Sequence, residues 1–205
     1  MVQPESTLAP GPTIQLKTRP AFDLTDAEFF ALCQANRDLR FERDAEGDVL
    51  IMSPTGGDTG RRGAWITAHL VMWAIAEGSG TAFDSSTGFR LPDGSVRSPD
   101  ASWVINTRFA ALSETERQGF APLCPDFVLE LRSPSDGLAS LEAKMAGYIE
   151  NGARLAWLID PESRRVQVCR PDSAPEWLKA PESLSGDPEL PGFVLPLHAI
   201  WSPVV

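Results

Sequence analysis

Phe127-Val128-Leu129-Glu130-Leu131-Arg132 is the stretch on which the reading of this chain turns. Pro125-Asp126 precedes it and Ser133-Pro134-Ser135-Asp136-Gly137 follows, so it has the length and the punctuation of a strand. Alternation puts Phe127, Leu129 and Leu131 on one face, with Val128, Glu130 and Arg132 on the other. A carboxylate inside an otherwise apolar strand is costly to bury unless a cation meets it. Either Glu130 faces solvent beside Arg132 on an edge strand, or it is a buried acid with a chemical task.

The residues downstream offer a cation. A helix from Leu138 to Asn151, with Gly152 just past its end, carries Leu141, Met145, Tyr148 and Ile149 as its apolar stripe. Lys144 lies on the border of that stripe. Its ammonium can run outward to water or reach over the sheet toward Glu130. Strands at Leu155–Ile159 and Arg164–Cys169, joined by Asp160-Pro161-Glu162-Ser163, come next, and a short apolar piece at Phe193–Leu197 closes the pattern.

Upstream, Ser98-Pro99-Asp100 introduces the apolar strand Ala101–Ile105, so Asp100 is a second acid at a strand mouth, or simply a turn residue after Pro99. Ala82–Leu91 reads as one continuous strand, and Ser113–Gln118 as a polar helical connection. Earlier still, Thr25 and Glu28 form a capping-box signature for a helix with Phe29, Leu32 and Cys33 on its stripe. A hairpin is expected from Arg40–Asp44 and Asp48–Met52, then a long helix from Arg61 to Glu77. Trp65, Ile66, Leu70, Trp73 and Ile75 make that helix apolar nearly all round, which predicts burial on more than one side and a second subunit over its spare face. Residues 1–20, with Pro4, Pro10, Pro12 and Pro20, read as a flexible lead-in. The order of elements predicts a single α/β domain over 21–205, with a mixed central sheet flanked by helices.

Composition narrows the chemistry. The 205 residues are 42% hydrophobic and 22% charged, with a formal net charge of -10. That balance excludes a polybasic binder that holds nucleic acid by charge alone. It leaves room for an enzyme that meets phosphates through a divalent cation, because the ion reverses the sign of a carboxylate cluster. Cys33, Cys124 and Cys169 are scattered and odd in number, which argues against a disulfide scaffold or a zinc knuckle. His69 and His198 are the only histidines, and no nucleophile elbow accompanies them. The apolar run Ala64–Ala76 is too short to span a bilayer, and no signal-peptide pattern opens the chain, so a cytoplasmic protein without membrane contact is expected. Two carboxylates and a lysine remain as the chemical unit. Such a set can hold Mg²⁺ or Mn²⁺, lower the pKa of a bound water and stabilise charge growing on a phosphodiester.

Five stretches in order carry a resemblance: MSPTGGDTGRR at 52–62, SPDASWV at 98–104, PDFVLELRSPSD at 125–136, KMAGYIENGARLAWLIDP at 144–161 and LPGFVLPL at 190–197. With them the chain resembles the bacterial restriction endonuclease family of small proteins with the PD-(D/E)XK nuclease fold, over residues about 40 to 197. The resemblance implies a metal-dependent DNA endonuclease. In it, Asp100 and Glu130 hold Mg²⁺ (or Mn²⁺), and Glu42 completes the metal shell; the neighbouring Leu131 backbone carbonyl is a further expected protein ligand. The usual lysine of the motif would fall at position 132, which is Arg here; in this family it sits on the following helix, where Lys144 stands. Arg132 is then left with a phosphate contact, since its guanidinium cannot accept a proton. A histidine common near position 59 is Thr59 in this chain. DNA is the implied substrate, and a homodimer the expected assembly. The alternative class is a catalytically silent relative that binds DNA or another partner on the same fold.

Overall fold

Residues 13–19 and 21–202 are described by the computed structural model. The chain begins with β1 (Ile14–Leu16) and then α1 (Asp26–Ala35). Thr25 caps α1 by accepting from the Glu28 amide, and the Glu28 carboxylate accepts from the Thr25 amide at 2.9 Å. The hairpin follows as β2 (Arg40–Arg43) and β3 (Val49–Met52), then α2 (Gly57–Glu77). Next come β4 (Gly80–Asp84), β5 (Phe89–Arg90), β6 (Val96–Arg97) and β7 (Ala101–Ile105). Two short helices, α3 (Asn106–Ala110) and α4 (Glu114–Gln118), lead to β8 (Phe127–Leu131). The remainder is α5 (Leu138–Glu150), β9 (Leu155–Asp160), β10 (Arg165–Cys169), β11 (Glu176–Lys179), β12 (Ser183–Ser185), β13 (Val194–Pro196) and α6 (His198–Trp201).

The fold is mixed α/β. Its main sheet has six strands in the order β11-β10-β9-β8-β7-β4. β8 and β9 are parallel and connected through α5, whereas β7 with β8 and β9 with β10 are antiparallel. One face packs Phe127, Leu129 and Leu131 with Trp157, Phe193 and the buried side of α2. The other face packs Val128, Ala156 and Leu158 against Met145 and Tyr148 of α5. The alternation expected for the quoted stretch is the alternation found.

Several expectations give way. A second, five-stranded sheet in the order β1-β3-β2-β6-β5 accompanies the main one, so the domain is built on more than one sheet. Ala82–Leu91 is not one strand. It breaks after Asp84, whose carboxylate accepts from the Ser86 amide at 3.0 Å, and Phe89–Arg90 leaves for the second sheet. Within the lead-in, Ile14–Leu16 pairs with β3; residues 1–12 and 20 lie outside the described residues. Helix α2 starts four residues before the expected Arg61, at Gly57, and buries one side only. Ile66, Leu70 and Ala74 face the core, while Met72 and Ile75 are 58% and 78% exposed. Among the described residues no helix is long and apolar enough to cross a membrane.

Candidate active site

Register brings the acids together. Ala101 lies opposite Leu129 in the antiparallel β7–β8 pair, so the next pair along is Asp100 with Glu130, on the same face of the sheet. The Leu131 amide donates to Asp100 Oδ2 at 2.8 Å, which fixes that carboxylate at the end of β8. Helix α5 then returns across the strand it follows. Lys144 and Tyr148, one turn apart, both reach Glu130 Oε1: the ammonium at 2.8 Å and the phenol hydroxyl donating at 2.8 Å.

The second sheet supplies the rest. Glu42 on β2 is buried, 3% exposed. Its Oε1 accepts from Lys144 Nζ at 2.9 Å and from the Ser98 amide at 2.9 Å. Its Oε2 accepts from the Arg97 guanidinium at 3.1 Å. Asp100, Glu130, Glu42 and Lys144 line one open cavity of about 650 Å³, to which Arg40 and Arg97 add positive charge. Thr59 and Leu131 border the same space, and neither histidine does.

Burial sets the electrostatics. It pushes the Glu130 carboxyl up to about 7; the Lys144 ammonium opposes the shift, and the Asp100 and Glu42 charges add to it. Asp100 also moves up, chiefly by burial, against the Leu131 amide and Lys144. Burial works on Glu42 in the same sense, but Lys144, Arg97 and the Ser98 amide outweigh it and hold that carboxyl below its ordinary value. Burial alone would lower the Lys144 amine, yet Glu130 and Glu42 raise it to about 12, so it stays an ammonium. Burial and the Glu130 charge keep the Tyr148 hydroxyl protonated and able to donate.

Asp100 Oδ1 and Glu130 Oε2 have no hydrogen-bond partner among the described residues. Hard oxygens of this kind suit Mg²⁺ or Mn²⁺ rather than a soft metal. Among the described residues no group of three or more His, Cys, Asp and Glu side chains is gathered for a metal, so the two acids would need backbone or water oxygens to complete a shell.

Arg132 is the expected site residue that the structure places elsewhere. Its guanidinium pairs with buried Asp160 at 3.0 Å and with Glu162 at 3.6 Å, and its Nε donates to the Asp136 carbonyl. Arg97 and the hydroxyl of Tyr148 are the participants that sequence reasoning missed. Tyr148 carried a usable signal, being four residues from Lys144 on one helical face, but its ring also fits the core stripe. Arg97 carried none, because its partner is 55 residues away.

The fold has a solved relative. A crystal structure described as a putative nuclease belonging to DUF820, from Anabaena variabilis, superposes with a TM-score of 0.70 at 21% sequence identity, covering 87% of this chain and 97% of that one. A comparison with curated proteins finds no match. Residues 26–198, which include Glu42, Asp100, Glu130 and Lys144, match the family Uma2, described as "Putative restriction endonuclease", and the chain belongs to that family.

Proposed function

We propose that this protein is an endonuclease that hydrolyses DNA phosphodiester bonds with a divalent cation, Mg²⁺ or Mn²⁺, held by Asp100 and Glu130. The observation that carries the reading is the meeting of these two carboxylates, each with an oxygen unpartnered among the described residues, beside the Lys144 ammonium in one cavity. When bound, the cation would supply a water of lowered pKa and neutralise charge on the scissile phosphate.

The remaining work falls to the chain's own groups. The Leu131 amide orients Asp100. Its carbonyl leaves the same edge of the strand and is the third protein oxygen in this reading. The Tyr148 hydroxyl occupies Glu130 Oε1, which leaves Oε2 for the cation in this reading. Lys144 remains charged, so it stabilises the negative charge that grows on the phosphate and orients a water by donating to it, rather than removing a proton. Arg132, tied to Asp160, has no direct part. A homodimer through the exposed Met72–Ile75 side of α2 belongs to the same reading, and sedimentation at micromolar concentration checks it, a monomer counting against it.

Supercoiled plasmid incubated with Mg²⁺ or Mn²⁺ tests the function. Wild type is expected to nick and linearise it, and Asp100→Asn to leave it intact. A wild type inert in both metals, or a variant as active as wild type, overturns the proposal.

A further inference from the structure

Glu42 differs from the other two acids in one respect: its oxygens are already engaged. Oε1 accepts from an ammonium and a backbone amide, and Oε2 from a guanidinium. Asp100 and Glu130 each keep one oxygen without a partner among the described residues. A cation bound to Glu42 would have to displace Lys144, Arg97 or the Ser98 amide from a carboxylate that is 3% exposed. Losing a charged partner at such depth costs more than a neutral hydrogen bond.

The backbone explains why Glu42 is held so firmly. In the second sheet Arg43 lies opposite Val96 in the antiparallel β2–β6 pair, which sets Arg97 across from Glu42. The two side chains form a cross-strand ion pair in which the Arg97 side chain is 19% exposed. That pair is anchored on one sheet, and Glu130 on the other. The Lys144 ammonium lies between them, 2.9 Å from Glu42 and 2.8 Å from Glu130.

Resting on the nuclease reading above, we propose that Glu42 is a positioning residue for Lys144 and not a metal ligand. With Arg97 it forms a fixed anionic anchor that holds the ammonium at the site. A lysine stem has several rotatable bonds, and a single acceptor leaves much of that freedom. A second acceptor on a different sheet defines where the charge sits. Arg97 partners the second oxygen of Glu42, so the anchor stays ionised and aligns Lys144, although its charge still bears on Asp100 and Glu130.

Glu42→Gln tests this by calorimetry with Mg²⁺ alone, by NMR of the Lys144 ammonium and by cleavage kinetics. The Mg²⁺ affinity is expected to stay within roughly threefold of wild type, whereas losing even an outer-shell partner of a metal weakens binding by about tenfold or more and losing a direct ligand by at least as much. The Lys144 ammonium signal is expected to be protected from exchange in wild type and to broaden or disappear in the variant. kcat should fall roughly 10- to 10²-fold with little change in KM, as for a misplaced catalytic group. In a Lys144→Met background Glu42→Gln should cost nothing further. If Glu42→Gln folds poorly with Arg97 left unpaired, Glu42→Gln with Arg97→Gln removes the pair as a unit, and the same measurements apply. A tenfold loss of Mg²⁺ affinity, an unchanged ammonium signal, or a full additional loss on top of Lys144→Met overturns the proposal. Should wild type cut no DNA at all, the nuclease reading fails on its own, and the ammonium signal and the Mg²⁺ titration still decide the role of Glu42.

Discussion

The two faces of β8 are closed to water to nearly the same degree, and they do opposite things. On one, Leu129 is 0% exposed between Phe127 and Leu131, against Trp157 and Phe193. On the other, Glu130 is 5% exposed and meets an ammonium and a phenol. Burial by itself therefore does not separate core from site. What separates them is the helix on each side. α2 presents Ile66, Leu70 and Ala74 to the dry face, while α5 places Lys144 and Tyr148 among its apolar residues. A carboxylate costs several kcal/mol to bury alone, and the α5 side chains offset that cost while leaving the acid short of full neutralisation.

Leu129→Ala is the strongest way to break the dry face. It should cost about 2–5 kcal/mol of stability, read as a lowered denaturation midpoint, and leave Mg²⁺ affinity of the folded protein unchanged. A change in metal affinity of the same size would mean that the two faces are not independent. Lys144→Met does the reverse. It keeps most of the stem's packing, and should reduce plasmid cleavage by roughly 10²–10³, about 3–4 kcal/mol of transition-state stabilisation. Arg132→Met should reduce cleavage less than Lys144→Met, its larger effect being on stability, because buried Asp160 loses a partner. If Arg132→Met cuts more slowly than Lys144→Met, the roles of the two cations are exchanged.

Proton linkage gives a smaller and more graded test. The folded-state value of Glu130 lies near 7, above its ordinary 4.5. Stability from its protonated form is thus fully present below pH 4.5 in the metal-free protein, and is lost as pH rises through about 7. The stability of wild type, read from thermal midpoints, should fall relative to Glu130→Gln across that window, by roughly a few kcal/mol at most. Mg²⁺ selects the ionised carboxylate, so its binding should tighten and release protons over the same range. A flat difference between the two proteins would show that Glu130 is not destabilised as an anion.

How much of this was legible in the sequence follows from the distance over which each feature is encoded. The β8 alternation, the α1 capping box and the Lys144 border position are local patterns, and each is seen in the structure. The second sheet was not legible, because β1 is three residues long, β5 and β6 are two each, and their pairings are decided by packing. The break after Asp84 was hidden because polar Ser85, Ser86 and Thr87 sit between aromatic residues that both read as strand. For α2, three glycines within Gly56–Gly60 suggested a loop, yet the backbone continues as helix from Gly57 to Glu77. Asp100 and Glu130 were legible as acids at strand positions; Arg97 meets Glu42 only through a register that no local pattern records.

The hydrogen bonds around Lys144 also differ in how much chain they enclose. Tyr148 meets Glu130 across 18 residues, within a single strand–helix unit, whereas Lys144 meets Glu42 across 102. Loop-closure entropy makes the longer closure about 1.5 kcal/mol dearer. On that ground the Glu130 contact is expected to form before the Glu42 tether, an order that φ-values at Tyr148 and Glu42 would check. Without the Glu42 contact the ammonium is held from one side only, so the geometry of the site depends on a long-range closure between two sheets and not on the strand–helix unit alone.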